Sequence, residues 1–336
     1  MPLNITNSLT IGKYAKKAAA PVIWVAVGSG SRIANSSDGN NWTAVPVESI
    51  GGLTVGNAVA YGQDGRWVAV GGGSIIAYSA DGKVWTAAAT KGGISSPTKV
   101  AYGKDGAGNG RWVTCSTYGS IIAHSPDGNT WTAVPIGSIG GITFPQDVAY
   151  GTNGAGNRRW VIVGDGSIIA YSPDGNVWTA AATKGGIANG YGVAYGTDGS
   201  GNPRWVAVGS GSSIAYSSNG DNWTAAATVG GISSPQEVAY GQDGSGNPRW
   251  VVVGHNSSIA YSSNGNTWTA AATVGGIYRG NGVAYGKDGA GIGLWVAVGH
   301  EGTVIATSPN GNNWTAAATV GGIGNGYGVA FKNEIV

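Results

Sequence analysis

Fourteen tryptophans in two interleaved series of seven constrain this chain more than any other feature. The first series is Trp24, Trp67, Trp112, Trp160, Trp205, Trp250 and Trp295. The second is Trp42, Trp85, Trp131, Trp178, Trp223, Trp268 and Trp314. Spacings within a series run from 43 to 48 residues, and no Trp is left over. A period of that length marks a repeat architecture, in which each unit buries its apolar faces only against its neighbours. By length alone, 336 residues suggest two domains. The repeat replaces that expectation with one ring of seven like units over 22–336.

Each unit holds four short apolar runs. One copy reads Val238-Ala239-Tyr240-Gly241, Arg249-Trp250-Val251-Val252-Val253-Gly254, Ser258-Ile259-Ala260-Tyr261-Ser262 and Thr267-Trp268-Thr269-Ala270-Ala271-Ala272. Such runs, rich in β-branched and aromatic residues and bounded by Gly, Asn, Asp and Ser, predict strands and leave no room for a long helix. The fold expected is all-β: a seven-bladed β-propeller with four antiparallel strands per blade. The two ends are out of phase. The first unit starts at Ile23-Trp24 without a Val-Ala-Tyr-Gly run, and the chain closes on Gly328-Val329-Ala330-Phe331. Six other copies of that run carry Tyr61, Tyr102, Tyr150, Tyr195, Tyr240 and Tyr285. The C-terminal strand is therefore expected to complete the N-terminal blade, closing the ring and removing its open edges.

Composition narrows the function classes. A net charge of +2, with 10% charged residues, gives no electrostatic case for nucleic acid. No apolar run approaches 18 residues, so no membrane insertion is expected. Met1-Pro2-Leu3-Asn4-Ile5 shows no charged stretch leading into an apolar one, so no signal peptide is expected. Residues 1–21 lie outside the repeat and contain Lys13, Lys16, Lys17 and Ala18-Ala19-Ala20. They are read as an N-terminal extension serving as tail, strap or anchor, the three being left open.

Every unit carries Ser-x-Asp/Asn-Gly-x-x-Trp, with Asp38, Asp81, Asp127, Asp174, Asn219, Asn264 and Asn310 at the third position. A short side chain there accepts backbone N–H bonds within its own turn, and Gly takes the positive φ. Asn substitutes for Asp because the role is hydrogen bonding, so these residues are assigned to structure. The motif resembles the Asp box of sialidases and related propellers, one residue shorter between Asp and Gly. The whole unit also resembles bacterial seven-bladed lectin propellers and propeller repeats of the photosystem-assembly-factor type. That resemblance, over 22–336, implies the fold. It says little of function, because such turns occur in enzymes, lectins and scaffolds.

A sialidase resemblance would imply three arginines gripping a carboxylate, a Tyr–Glu nucleophile pair and an Asp acid. Here Arg66, Arg111, Arg159, Arg204 and Arg249 each precede a Trp. A residue repeated blade after blade is structural, since one reaction needs one asymmetric site. The non-periodic acids, Glu48, Asp165, Glu237 and Glu301, offer no placeable carboxylate pair. No catalytic residue, metal or cofactor is therefore assigned, and the chain is read as a non-enzyme. His255 and His300 recur at one repeat position and are read as turn residues. Cys115 stands where other copies have a strand Val and is read as a buried, inert thiol.

Comparing the copies locates the candidate site. Each interblade loop opens on a constant pair plus an apolar residue, from Gly51-Gly52-Leu53 to Gly321-Gly322-Ile323, and then diverges. The divergent segments are 54–57, 95–99, 143–147, 188–192, 233–237, 278–282 and 324–328. In an up-down-up-down blade these share a face with the turns between second and third strands, which also vary. The Ser-x-Asp/Asn-Gly turns lie on the opposite face. The variable face supplies Phe144, Asn189, Tyr191, His255, Asn256 and Tyr278 as candidate ligand-binding residues. Arg279, Asn281, His300, Glu301, Asn325 and Tyr327 complete the set. Aromatic, amide and imidazole groups suit a neutral polyhydroxyl ligand. The leading expectation is a lectin-like propeller binding glycans, or a glycosylated surface, through repeated shallow sites that gain from multivalency. The alternative is an attachment module of a larger assembly such as a virion, reaching other virion or assembly proteins through 1–21. Extracellular or virion-associated action fits either expectation better than a cytoplasmic role.

Overall fold

Strands dominate because the sequence alternates β-branched runs with Gly-rich turns, and neither can be extended into a helix. The computed structural model describes residues 21, 23–73, 75–118, 122–135, 138, 141–166, 168–211 and 214–332. Among these the chain forms seven four-stranded antiparallel sheets, a 3-10 turn at Val47–Ser49 and no α-helix. This is a seven-bladed β-propeller. The N-terminal extension, apart from Pro21, lies outside the described residues.

Blade I joins Trp24–Gly30, Ile33–Ser36 and Trp42–Ala44 to the C-terminal strand Ile323–Phe331. That strand pairs Phe331 with Trp24, as Tyr61 pairs with Trp67 in blade II. Blades II to VII follow in chain order. Their inner strands are Gly56–Tyr61, Pro97–Lys104, Pro145–Thr152, Ile187–Thr197, Ser233–Gln242 and Arg279–Lys287. Each inner strand packs against the next around the axis, and the C-terminal strand touches the inner strands of blades VII and II.

Strand lengths depart from the sequence reading. Inner strands reach 11 residues at Ile187–Thr197, because bulges let pairing continue into the divergent segments. Outer strands shrink to pairs such as Thr269–Ala270.

The tryptophans do two different jobs. The first series is fully buried, and each ring meets the inner-strand Tyr of its own blade at 4.9 to 5.0 Å between centroids. Trp24 meets Phe331 in the same way. Trp24, Trp160, Trp205, Trp250 and Trp295 also donate their indole N–H to a carbonyl of the preceding blade, so each ties two blades together. The second series covers the turns: Trp42, Trp131, Trp223, Trp268 and Trp314 donate to the carbonyl of the turn Gly. In those turns Asp and Asn act alike. Asp38 Oδ1 accepts from Asn40 and Asn41 N–H at 2.9 and 2.7 Å, and Asn264 Oδ1 accepts from Asn266 and Thr267 at 2.9 Å each.

The Gly closing each Val-Ala-Tyr-Gly run is set by the next blade. A Cβ on Gly196 would lie 2.1 Å from the Tyr240 ring, and Gly103, Gly151, Gly241 and Gly286 face the next ring as closely. Gly196→Ala is therefore expected to cost about 1–3 kcal/mol through overpacking. Urea melts would read it as a lower midpoint at unchanged slope. A wild-type midpoint would show that the ring can move aside.

Candidate functional site

The two faces differ in backbone strain as well as in sequence. Arg32, Phe144, Ser234, Asn256, Ser257 and Glu301 are the non-glycine residues at positive φ among the described residues. All six lie on the face the sequence marks as variable, Ser234 at the start of an inner strand and the other five on interblade loops or second-to-third-strand turns. On the opposite face the positive φ values fall to glycines, including Gly39 and Gly265 in the turns. Side chains held in this region cost about 1–3 kcal/mol each and gather where a fold presents a surface for use.

The structure joins most of the predicted residues into one sector across blades VI, VII and I. Arg279 opens the inner strand of blade VII and pairs in register with His300. Its Nε lies 3.0 Å from Glu301 Oε2. His300 Nδ1 lies 2.8 Å from Asn281 Nδ2, and its Nε2 lies 4.0 Å from Glu301 Oε1. Asn281 spends its other N–H on Gly326 O at 2.8 Å, tying blade VII to blade I. The His300 and Tyr327 rings meet edge to face at 6.4 Å. Tyr278 stands exposed, its hydroxyl 3.4 Å from Asn256 Oδ1. Asn325 Nδ2 approaches the Tyr327 hydroxyl at 3.5 Å. Burial, then the charges of Arg279 and His300, hold the His255 imidazole below its usual pKa against the pull of Glu301. It is neutral at pH 7.

Three predicted residues fall elsewhere on the face. Phe144 is half exposed beside blade IV. Asn189 accepts from Gly166 N–H at 3.0 Å, bracing the loop into blade V against the turn of blade IV. Tyr191 stands at the axis.

The axis is what sequence reasoning missed. At one register position the inner strands supply Asn57, Thr98, Gln146, Tyr191, Gln236, Asn281 and Tyr327, which ring a mouth of about 230 Å3 together with Lys99. Asn57 and Thr98 donate to Pro97 O and Pro145 O of the following blade, as Asn281 does to Gly326 O. One step deeper, Ala58, Lys99, Asp147, Glu237, Gly282 and Gly328 surround a void of about 140 Å3, Gly192 holding the same register position in blade V. Lys99 Nζ donates to Glu237 Oε2 across the ring. Asp147 is 5% exposed and accepts from Val148 and Val193 N–H, each at 2.8 Å. Burial, then Glu237, hold its carboxyl well above the ordinary range, against Lys99 and the two N–H groups. The Lys99 ammonium is held charged: burial opposes it, but Glu237, by charge and hydrogen bond, and Asp147 together outweigh burial. One signal was present in the sequence: the pair before each Val-Ala-Tyr/Phe run takes six forms in seven copies although it borders a constant strand.

The periodic arginines support blades. Arg159 lies 4.0 Å over the Tyr171 ring and donates to Asn219 O at 2.6 Å, and Arg204 and Arg249 lie over Tyr216 and Tyr261. Cys115 is fully buried, and burial pushes its thiol up to about 12.

Rings of this build recur in solved proteins of unlike activity. The BP39L lectin from Burkholderia pseudomallei is similar at TM-score 0.62 and 14% identity, over 90% of this chain and 99% of the lectin. YCF48 from Cyanidioschyzon merolae is similar at 0.57 and 15%, over 84% of this chain and 90% of that one. The GH74 xyloglucanase from Xanthomonas campestris is similar at 0.54 and 15%, over 85% of this chain but 42% of the enzyme. At such identities the likeness shows the fold alone. No protein-family model and no curated protein matches the chain, so the likeness of its turns to Asp boxes rests on the sequence.

Proposed function

We propose that this protein is a non-enzymatic recognition propeller that binds neutral glycans through shallow sites on its variable face. The observation that carries this reading is the sector from His255 to Tyr327. There aromatic rings, carboxamides and imidazoles share one surface, and its ion pair, Arg279–Glu301, is internally neutralised. Rings of Tyr stack on the C–H faces of sugars, and amides and imidazoles exchange hydrogen bonds with hydroxyls. A lectin among the structures of like fold is consistent with this use of the ring. Non-enzymatic action is supported by the fate of three acids on this side of the ring. Glu301 is paired with Arg279, and Asp147 and Glu237 lie beneath the mouth bound to Val N–H groups and Lys99.

A glycan array probed with the full-length chain tests the reading. Neutral glycans are expected to give signal, and Tyr278→Ala to weaken it about tenfold, since stacking of one ring is worth about 1 kcal/mol and avidity multiplies the loss. Tyr278 is exposed, so its truncation leaves the melting temperature unchanged. A silent array, or a Tyr278→Ala signal equal to wild type, overturns the reading.

A further inference from the structure

A ring of near-identical blades makes every interblade site about seven times over. Its axis is the one place where all seven copies converge, so residues that differ between copies build a single, non-repeating site there. The axial mouth has that character. Its lining is polar and half-buried, and two of its side chains, Gln146 and Tyr191, make no hydrogen bond to another described residue. Gln236 spends its N–H on Ser234 O at 2.9 Å, which leaves its carbonyl oxygen for the mouth.

We propose that the axial mouth is a second site, sharing Asn281 and Tyr327 with the rim sector, that takes one neutral sugar ring per chain, entering end-on from the variable face. This rests on the reading of that face as glycan-binding and adds a site of different place and stoichiometry. Size sets the unit. About 230 Å3 lies below the roughly 300 Å3 at which pockets for drug-sized ligands begin, so one ring fits and an oligosaccharide does not. Depth is set by the layer beneath. Lys99 lines both mouth and void, its ammonium is held by Glu237, and the buried valines, Val59 and Val193 among them, follow below. Neutrality follows from that layer, where Lys99 Nζ is bound to Glu237 and the Asp147 carboxyl is biased toward its protonated form by burial and by Glu237. A charged ligand would find no uncompensated partner. The carboxamides and the Tyr191 hydroxyl match a ligand that is donor and acceptor on every side.

The layer beneath also argues for use. At the Lys99, Asp147 and Glu237 position the other four blades carry Ala58, Gly192, Gly282 and Gly328 and build the same strand. The fold does not need charge there, and buried ion pairs are seldom worth more than apolar replacements.

Isothermal titration of the full chain with methyl α-D-glucopyranoside, methyl α-D-mannopyranoside and methyl β-D-galactopyranoside tests the proposal. At least one is expected to bind at one per chain and to survive Tyr278→Ala. The double variant Gln146→Leu, Gln236→Leu is expected to weaken that binding at least tenfold, read beside its melting temperature. Should the double variant fail to fold, Tyr191→Phe removes one hydroxyl and is expected to weaken binding several-fold. The proposal is overturned if no glycoside binds, if binding is lost in Tyr278→Ala, or if a folded mouth variant binds as wild type does. A glycan array that still responds, and still depends on Tyr278, then leaves the proposed function standing without the axial site. A silent array removes both.

Discussion

Lys99→Ala is expected to destabilise the protein by about 3–5 kcal/mol, and replacing Lys99, Asp147 and Glu237 together by Ala is expected to restore most of that loss. The single variant strands Glu237, 8% exposed, beside Asp147, 5% exposed, with no cation between them. The triple variant removes all three groups and makes the layer resemble blade II, which has Ala58 there. Urea unfolding at pH 7 reads both variants. A triple variant no more stable than Lys99→Ala would sink the view that the cost lies in stranded charge.

The same cluster has a pH signature. The Asp147 carboxyl is held above its ordinary value of 3.8, first by burial and then by Glu237. The folded chain thus keeps a proton that the unfolded chain has released. Stability falls as pH rises from about 3.8 through the raised pKa, and is flat above it. The turn carboxylates Asp38, Asp81, Asp127 and Asp174 lie below the ordinary range, held there by N–H and Ser hydroxyl donors that outweigh burial. Their contribution is lost as pH falls, and it is common to wild type and triple variant. The difference between the two proteins therefore isolates the axis. The triple variant should gain on wild type as pH rises from about 4 toward 7.

The fold was legible because each blade states its packing rule in a few residues. Trp250 needs Tyr240, Gly196 needs the Tyr240 ring, and seven repetitions leave little choice of architecture. Ring closure was legible from a single substitution, Phe331 at the Tyr position, facing Trp24. The rim sector was legible in part, because its residues follow a constant Gly-Gly pair and lie in adjacent blades. The axial cluster was not. Lys99 and Glu237 are 138 residues apart, and nothing local to either names the other as a partner. Their meeting depends on the ring having closed with both at the same register. The mouth residues were hidden for a related reason: bulged inner strands run further than the Val-Ala-Tyr-Gly runs suggest, so side chains read as loop sit on strands aimed at the axis.

Deleting Ile323–Phe331 is expected to abolish cooperative unfolding altogether, and relocating that strand to the front of the chain is expected to restore it. The deletion removes the inner strand of blade I, the ring partner of Trp24, and the packing of that strand against the inner strands on either side. It leaves Trp24–Gly30 as an unpaired edge and opens the ring at one seam, a state prone to edge association. The geometry for a permuted chain is already present. Lys332 N–H donates to Ile23 O at 2.7 Å, matching the Gly62-to-Arg66 bond of 2.8 Å that closes the first turn of blade II. In blade II three residues, Gln63-Asp64-Gly65, span that bond. A permuted chain that starts at Gly322, joins Lys332 to Ile23 through Gln-Asp-Gly and ends at Gly321 would make blade I continuous like the other six. It is expected to melt cooperatively, with its near-ultraviolet dichroism from the buried Trp–Tyr pairs intact. A deletion variant that still melts in one sharp transition would show that the remaining strands close the ring without the C-terminal one. A permutant that fails to fold would show that the seam between blades VII and I is needed during folding and not only in its product.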